Sequence, residues 1–194
     1  MNQTVNIKQE ALKNGLIWGT INIVVFLVSW YVMPNMMTSY LNSFVSILIG
    51  IALAVFFCTD MRKKVGGYWT FNEAMWPIFV TFVTGMALTY VFTILFGKFI
   101  DTGYPSKMTE MVLANTEETL RKFGLQGSDL KDAMKKTEEN LQQQFNPTFK
   151  QAIIGFGIAA IMYFIGAVVF ALIFRKSNPN PFAEQADEQF KDNQ

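Results

Sequence analysis

Histidine is absent from the 194-residue sequence and cysteine occurs once, as Cys58. Without imidazole the usual zinc and haem ligand sets cannot be assembled, and Ser or Cys nucleophiles lack their usual base. No catalytic residue, metal ligand or cofactor is therefore expected. A lone cysteine forms no internal disulfide. An excess of one charge is also missing, since 16 basic residues face 15 acidic ones, and this gives no global positive field to attract nucleic acid.

The most informative absence is local. Four stretches of 19 to 24 residues carry no charge at all: residues 15–33, 40–59, 74–97 and 151–174. Each is long enough to cross a hydrocarbon core of about 30 Å at about 1.5 Å per residue. A soluble helix of that length needs a polar face, and these show only scattered Asn, Ser and Thr. The expected fold is all-α, a membrane bundle of four helices embedded in a lipid bilayer. No ionisable residue lies inside a span, which counts against proton-coupled transport, ion conduction and intramembrane hydrolysis by paired carboxylates. A passive pore lined by hydroxyls is not excluded by this.

Lys8 and Lys13 ahead of the first apolar run resemble the start of a signal peptide. The run is longer than a signal core and continues into Met33-Pro34-Asn35 instead of a small-x-small cleavage site, so it reads as a retained helix. Lys8 and Lys13, then Arg62-Lys63-Lys64, then Arg175-Lys176 fall on one side of the four spans, whereas the link 34–39 has no charge. The positive-inside rule then puts both ends in the cytoplasm and the insert 98–150 outside, the balanced charge of a long loop having little weight. Trp30, Tyr31 and Tyr40 are expected in an outer aromatic belt, and Tyr68, Trp69 and Trp76 in an inner one. Thr70 and Glu73 have capping-box spacing, and Pro77 is expected to kink the third helix, leaving 71–76 along the inner surface.

The insert reads as a helical hairpin over 107–145. Met108, Met111, Val112, Leu120 and Phe123 recur at helical spacing, with Gly124 as terminator. Ser128 and Asp129 are expected to start a second helix carrying Leu130, Met134, Leu141 and Phe145, and Asn146-Pro147 to open the fourth span. Residues 177–194, polar and with two Pro, read as a disordered tail.

Each sharper feature has a plain alternative. Thr81, Gly85, Thr89 and Thr93 make a small, weakly polar face on the third helix, which either packs against a neighbour or lines a path for a small solute. Packing is favoured. Gly15 and Gly19 form a GxxxG motif, with Gly50/Ala54 and Gly155/Ala159 as looser versions; these join helices of one chain more often than two copies. Asn22 reads as interhelical glue before ligand site. Arg62-Lys63-Lys64 beside Tyr68 and Trp69 reads as a topology signal before a site for anionic lipid heads. Gly66-Gly67 is too short for a phosphate loop.

A basic stretch running into Gly66-Gly67-Tyr68, then Phe71 and Glu73, a charged helical insert ending in Asn146-Pro147, and a last span ending at Arg175-Lys176 together resemble a family of Bacteroidota membrane proteins known as domain of unknown function 4199. The resemblance implies an inner-membrane location and carries no activity or residue role. Two function classes follow from the reading as a whole. The favoured one is a non-enzymatic scaffold or accessory subunit that contacts a protein partner through the hairpin. The alternative is a small-solute channel or transporter built as a homo-oligomer.

Overall fold

The computed structural model describes residues 6–178, and the part of the tail from residue 179 onward lies outside them. In chain order come α1 (Ile7–Val32), a 3₁₀ turn (Pro34–Met36), α2 (Tyr40–Lys64), α3 (Phe71–Leu95), a π-turn (Phe96–Ile100), α4 (Tyr104–Lys122), α5 (Gly127–Phe145) and α6 (Phe149–Phe174). The fold is all-helical, and α1, α2, α3 with its π-turn, and α6 are each long and apolar enough to cross a membrane. They extend past the charge-free stretches because helix ends are set by caps. Asn6 caps α1 by accepting the Lys8 N–H at 3.2 Å, and Ser39 caps α2 by accepting from Leu41 at 3.3 Å.

The capping box at α3 forms as expected: Glu73 Oε2 accepts the Thr70 N–H at 2.7 Å, and Thr70 Oγ1 accepts the Glu73 N–H at 3.5 Å. Residues 71–76 are not a separate surface segment. They belong to one helix that continues through Pro77, and Ala74, Pro77 and Ile78 are buried in the bundle core. Gly66 and Gly67 close α2, both at positive φ, with Gly67 donating to the Arg62 carbonyl and Gly66 to that of Lys63. Gly124 closes α4 in the same way, donating to Arg121 while Leu125 donates to Leu120.

Two expected starts are corrected. The second hairpin helix begins at Gly127, so Ser128 and Asp129 lie inside its first turn and Ser128 caps nothing. Asn146 and Pro147 do not open α6. Asn146 is the C-cap of α5, its N–H donating to the Gln142 carbonyl, and Thr148 is the N-cap of α6 in a second capping box with Gln151.

Helix α3 is the centre of the bundle, packed on one side by α1 and on another by α6. Gly15 and Gly19 make the α1 contact. A Cβ at Gly15 would lie 2.6 Å from Thr84 Cβ and 2.7 Å from the Thr81 carbonyl oxygen, and one at Gly19 would lie 2.9 Å from Leu88. The GxxxG motif thus joins helices within the chain. Helix α2 packs against the other apolar helices through its second half, where Ala54, Cys58 and Met61 join a core with Ala11, Ile78, Phe82, Ala167 and Ala171, and Phe57 stacks on Trp18. Its first half, from Tyr40 to Ala52, is exposed on nearly every side, and a Cβ at Gly50 would meet nothing within 4 Å.

The basic clusters gather at the end of the bundle remote from the hairpin, where they tie helix termini together. Lys64 pairs with Glu10 at 2.6 Å and with Asp60 at 2.8 Å. The Phe174 carbonyl, left free at the end of α6, accepts from Trp69 Nε1 at 2.8 Å and from Arg62 at 3.3 Å. Trp69 and Lys176 exchange backbone bonds at 3.0 Å. Arg62 and Lys64 are therefore engaged within the protein, not held out as a free anion site. Trp69, only 3 % exposed, is a core anchor and not a belt residue. Tyr68 and Trp76, by contrast, remain exposed.

Candidate functional site

At the opposite end the α4–α5 hairpin is held against the bundle by side chains. The π-turn redirects the chain after α3, its last bond running from the Asp101 N–H to the Phe96 carbonyl at 2.9 Å. Asp101 Oδ2 then accepts from Trp30 Nε1 at 2.9 Å, and Oδ1 accepts the Gly103 N–H at 3.0 Å. The Lys107 ammonium lies 5.6 Å above the Trp30 ring. Trp30 is 6 % exposed, so it too is an anchor, and Tyr31 and Tyr40 alone remain exposed of the expected outer belt.

Tyr104 at the start of α4 lies edge-on to Trp30, Phe26, Phe96 and Phe145, with ring centroids 5.1 to 5.9 Å apart. Burial pushes its phenol up to about 12, which keeps it protonated at any physiological pH. Farther along α4, Asn115 donates to Thr38 Oγ1 at 2.6 Å, and Tyr40 and Thr119 share a hydroxyl–hydroxyl bond of 2.8 Å. Three attachments therefore space the first hairpin helix along α1, the α1–α2 link and the start of α2.

Within the hairpin, Met108, Leu130 and Leu141 are buried, while Met111, Val112 and Phe145 pack partly buried against the Trp30–Tyr104 cluster. Phe123 leaves the expected stripe. It is 79 % exposed, because α4 ends at Lys122 and the C-cap turn carries the ring away from α5. Between α4, α5 and the first turn of α6 lies an open cleft of about 810 Å³ whose lining includes Glu110, Glu138, Glu139, Gln142 and Gln143.

Beneath the hairpin is a cavity of about 290 Å³. Asn22 of α1, Thr89, Tyr90 and Thr93 of α3 and Tyr163 of α6 wall it, and Tyr104, Gln144 and Phe145 roof it. The threonine face of α3 divides at this level. Thr81, fully buried, has its hydroxyl 2.9 Å from the Pro77 carbonyl and 3.2 Å from that of Ala11, and so packs. Thr89 and Thr93 line the cavity, their hydroxyls donating back to Gly85 and Thr89 at 3.0 and 2.9 Å. Asn22 makes no interhelical hydrogen bond among the described residues, so it is not glue; its amide belongs to the cavity. The sequence signalled Asn22 as an amide in an apolar run, but gave no sign that Tyr104, Tyr163 and Gln144 converge on it, since three separate helices supply them.

No curated protein and no solved structure matches the chain. A family model covers residues 13–176, from the first turns of α1 to the bridge at Lys176. That span takes in most of α1, the whole of α2, α3 and α6 and the hairpin, and the chain accordingly belongs to the family described as Protein of unknown function (DUF4199).

Proposed function

We propose that this is a non-enzymatic integral membrane protein of a bacterial inner membrane, of Bacteroidota type, with both ends cytoplasmic and the α4–α5 hairpin outside. Its role in this reading is that of a scaffold or accessory subunit whose hairpin holds a protein partner. One observation carries it: the hairpin is fastened to the bundle at Trp30–Asp101, Thr38–Asn115 and Tyr40–Thr119, so its surface is presented in a fixed position. Rigid presentation lowers the ordering cost of association. The cleft offers Glu110, Glu138 and Glu139 among amides, a surface that suits a partner bearing Lys, Arg or amide groups. Basic residues gathered at the other end support the orientation.

The alternative, an oligomeric small-solute channel, has the cavity lined by Thr89 and Thr93 in its favour. Against it, the threonine line is closed at the fully buried Thr81, below which Ile78 and Ala74 are equally sealed. Affinity purification of the full chain from native membranes in mild detergent separates the two. A stoichiometric partner, retained by the parent and lost with Glu138→Lys and Glu139→Lys together, is the expected result. A clean homo-oligomer with no partner would overturn the scaffold reading.

A further inference from the structure

We infer that the cavity beneath the hairpin is a binding site for a neutral, lipid-soluble ring compound bearing carbonyl oxygens, of the quinone class. Charge is the first argument. Among the described residues no ionised side chain lines the cavity, and a charged ligand would lose its hydration there without a counter-charge.

Hydrogen-bonding capacity is the second. The hydroxyl protons of Thr89, Thr93 and Tyr90 are already committed to the carbonyls of Gly85, Thr89 and Ala152. Among the described residues, the donors on its lining that make no hydrogen bond within the chain are the Asn22 and Gln144 amides and the Tyr104 and Tyr163 hydroxyls. They come from α1, α4, α5 and α6 and converge on one space. These free donors can serve a ligand that carries acceptors, and carbonyl oxygens at two edges of one ring would take hydrogen bonds from Asn22 on one wall and from Tyr104 or Tyr163 on another. An amide in an apolar span without a partner is costly, which gives the occupied state its advantage.

Shape is the third. The rings of Tyr90, Tyr104, Tyr163 and Phe145, with Met86 and Ile94, supply flat apolar walls, and the volume of about 290 Å³ lies just below the range for drug-sized ligands, about 300–1,000 Å³, which suits a single small ring system.

Access is the fourth. Phe82 packs with Ala54, Cys58 and Met61 where α2 closes the groove formed by α1, α3 and α6. Met86, one helical turn farther along α3, already lines the cavity, and at that level the first half of α2 stands clear of the bundle. Tyr163, on the cavity wall, is 39 % exposed, so the wall is not sealed from the surroundings of the bundle. A ligand arriving from within the bilayer can enter here, and a tail attached to its ring can leave the same way.

The test uses the full-length chain in phospholipid nanodiscs with two probes of the same carbon skeleton, menadione (2-methyl-1,4-naphthoquinone) and 2-methylnaphthalene. Equilibrium binding is compared with empty nanodiscs, and Trp30, in contact with Tyr104, adds a local signal through quenching of its fluorescence by the quinone. The expected result is saturable binding of one menadione per chain. Asn22→Leu should weaken it at least tenfold and Tyr163→Phe several-fold, while 2-methylnaphthalene shows only partition proportional to lipid. Tyr163→Phe removes one oxygen from a ring that keeps its packing, so it decides the matter even if Asn22→Leu disturbs the fold. Absence of saturable menadione binding, equal affinity in Tyr163→Phe and the parent, or equally tight binding of 2-methylnaphthalene would each overturn the assignment.

Discussion

The indole N–H of Trp30 donates to the Asp101 carboxylate at 2.9 Å, joining the hairpin end of α1 to the turn that leaves α3, 71 residues away. A hydrogen bond to a charged group contributes about 1.5–3 kcal/mol, and losing the acceptor also leaves a buried donor without a partner. Asp101→Ala should therefore lower stability by about 2 kcal/mol in detergent and raise amide exchange through α4 before it rises in α1. Trp30→Phe removes the donor but keeps most ring contacts, so its effect on α4 should be smaller. Unchanged exchange in α4 after Asp101→Ala would mean that the hairpin is held by something other than this bond.

A second prediction turns on a difference in sign between two glycines. An exposed helical Gly→Ala stabilises by up to about 1 kcal/mol. Gly50→Ala, with nothing within 4 Å of the added carbon, should raise the unfolding temperature slightly. Gly15→Ala puts the same carbon 2.6 Å from Thr84 Cβ, and overpacking of this kind costs about 1–3 kcal/mol. Thermal unfolding in detergent should move in opposite directions for the two substitutions. A rise with both would show that α1 and α3 do not approach as closely as the backbone contact implies.

Much of this architecture was legible in the sequence, and the reasons can be given by residue. The four apolar helices could be read because a run free of charge is a property of single positions, and Thr70 with Glu73 because a capping box spans one turn. What escaped depends on partners distant in sequence. Trp30 and Trp69 resemble belt residues until Asp101 and the Phe174 carbonyl are placed beside them. Asn146-Pro147 presented a stronger apparent start than Thr148, but the preceding helix uses Asn146 for its own end. Phe123 matched the period of the hairpin stripe, yet the helix stops one residue before it. The cavity was invisible because residues of α1, α3, α4, α5 and α6, distant from one another in sequence, enclose it, and sequence periodicity says nothing about gaps between helices.

A third prediction concerns orientation. Ser128 lies exposed in the first turn of α5, and Ser177 lies exposed just after α6. With the buried Cys58 left in place, a membrane-impermeant thiol reagent on intact spheroplasts should label Ser128→Cys and spare Ser177→Cys until lysis. Labelling of Ser177→Cys from outside would invert the proposed topology and put the hairpin in the cytoplasm.

The last prediction addresses the seam on which the proposed partner surface depends. Leu130 and Leu141 are nearly fully buried, whereas Phe123 is almost free in solvent. A two-helix hairpin in water gains most of its stability from tertiary packing, since isolated helices of this length are marginal. Leu130→Asp with Leu141→Asp removes two buried side chains, each loss costing about 2–5 kcal/mol, and places two carboxylates in an apolar seam. That exceeds what the contact between α4 and α5 can supply, so α5 should open locally. Tryptic cleavage is then expected at Lys131, Lys135 and Lys136, which a folded helix protects. Because the core formed by α1, α2, α3 and α6 shares no residue with this seam, membrane insertion and the thermal unfolding of the apolar bundle should be retained. Phe123→Asp, a larger apolar side chain replaced by the same charge, should leave the cleavage pattern untouched. If both variants are cleaved alike, the hairpin is not organised by Leu130 and Leu141, and its surface is not a fixed platform. Cleavage confined to the double variant, with loss of any captured partner, joins the seam directly to the proposed role.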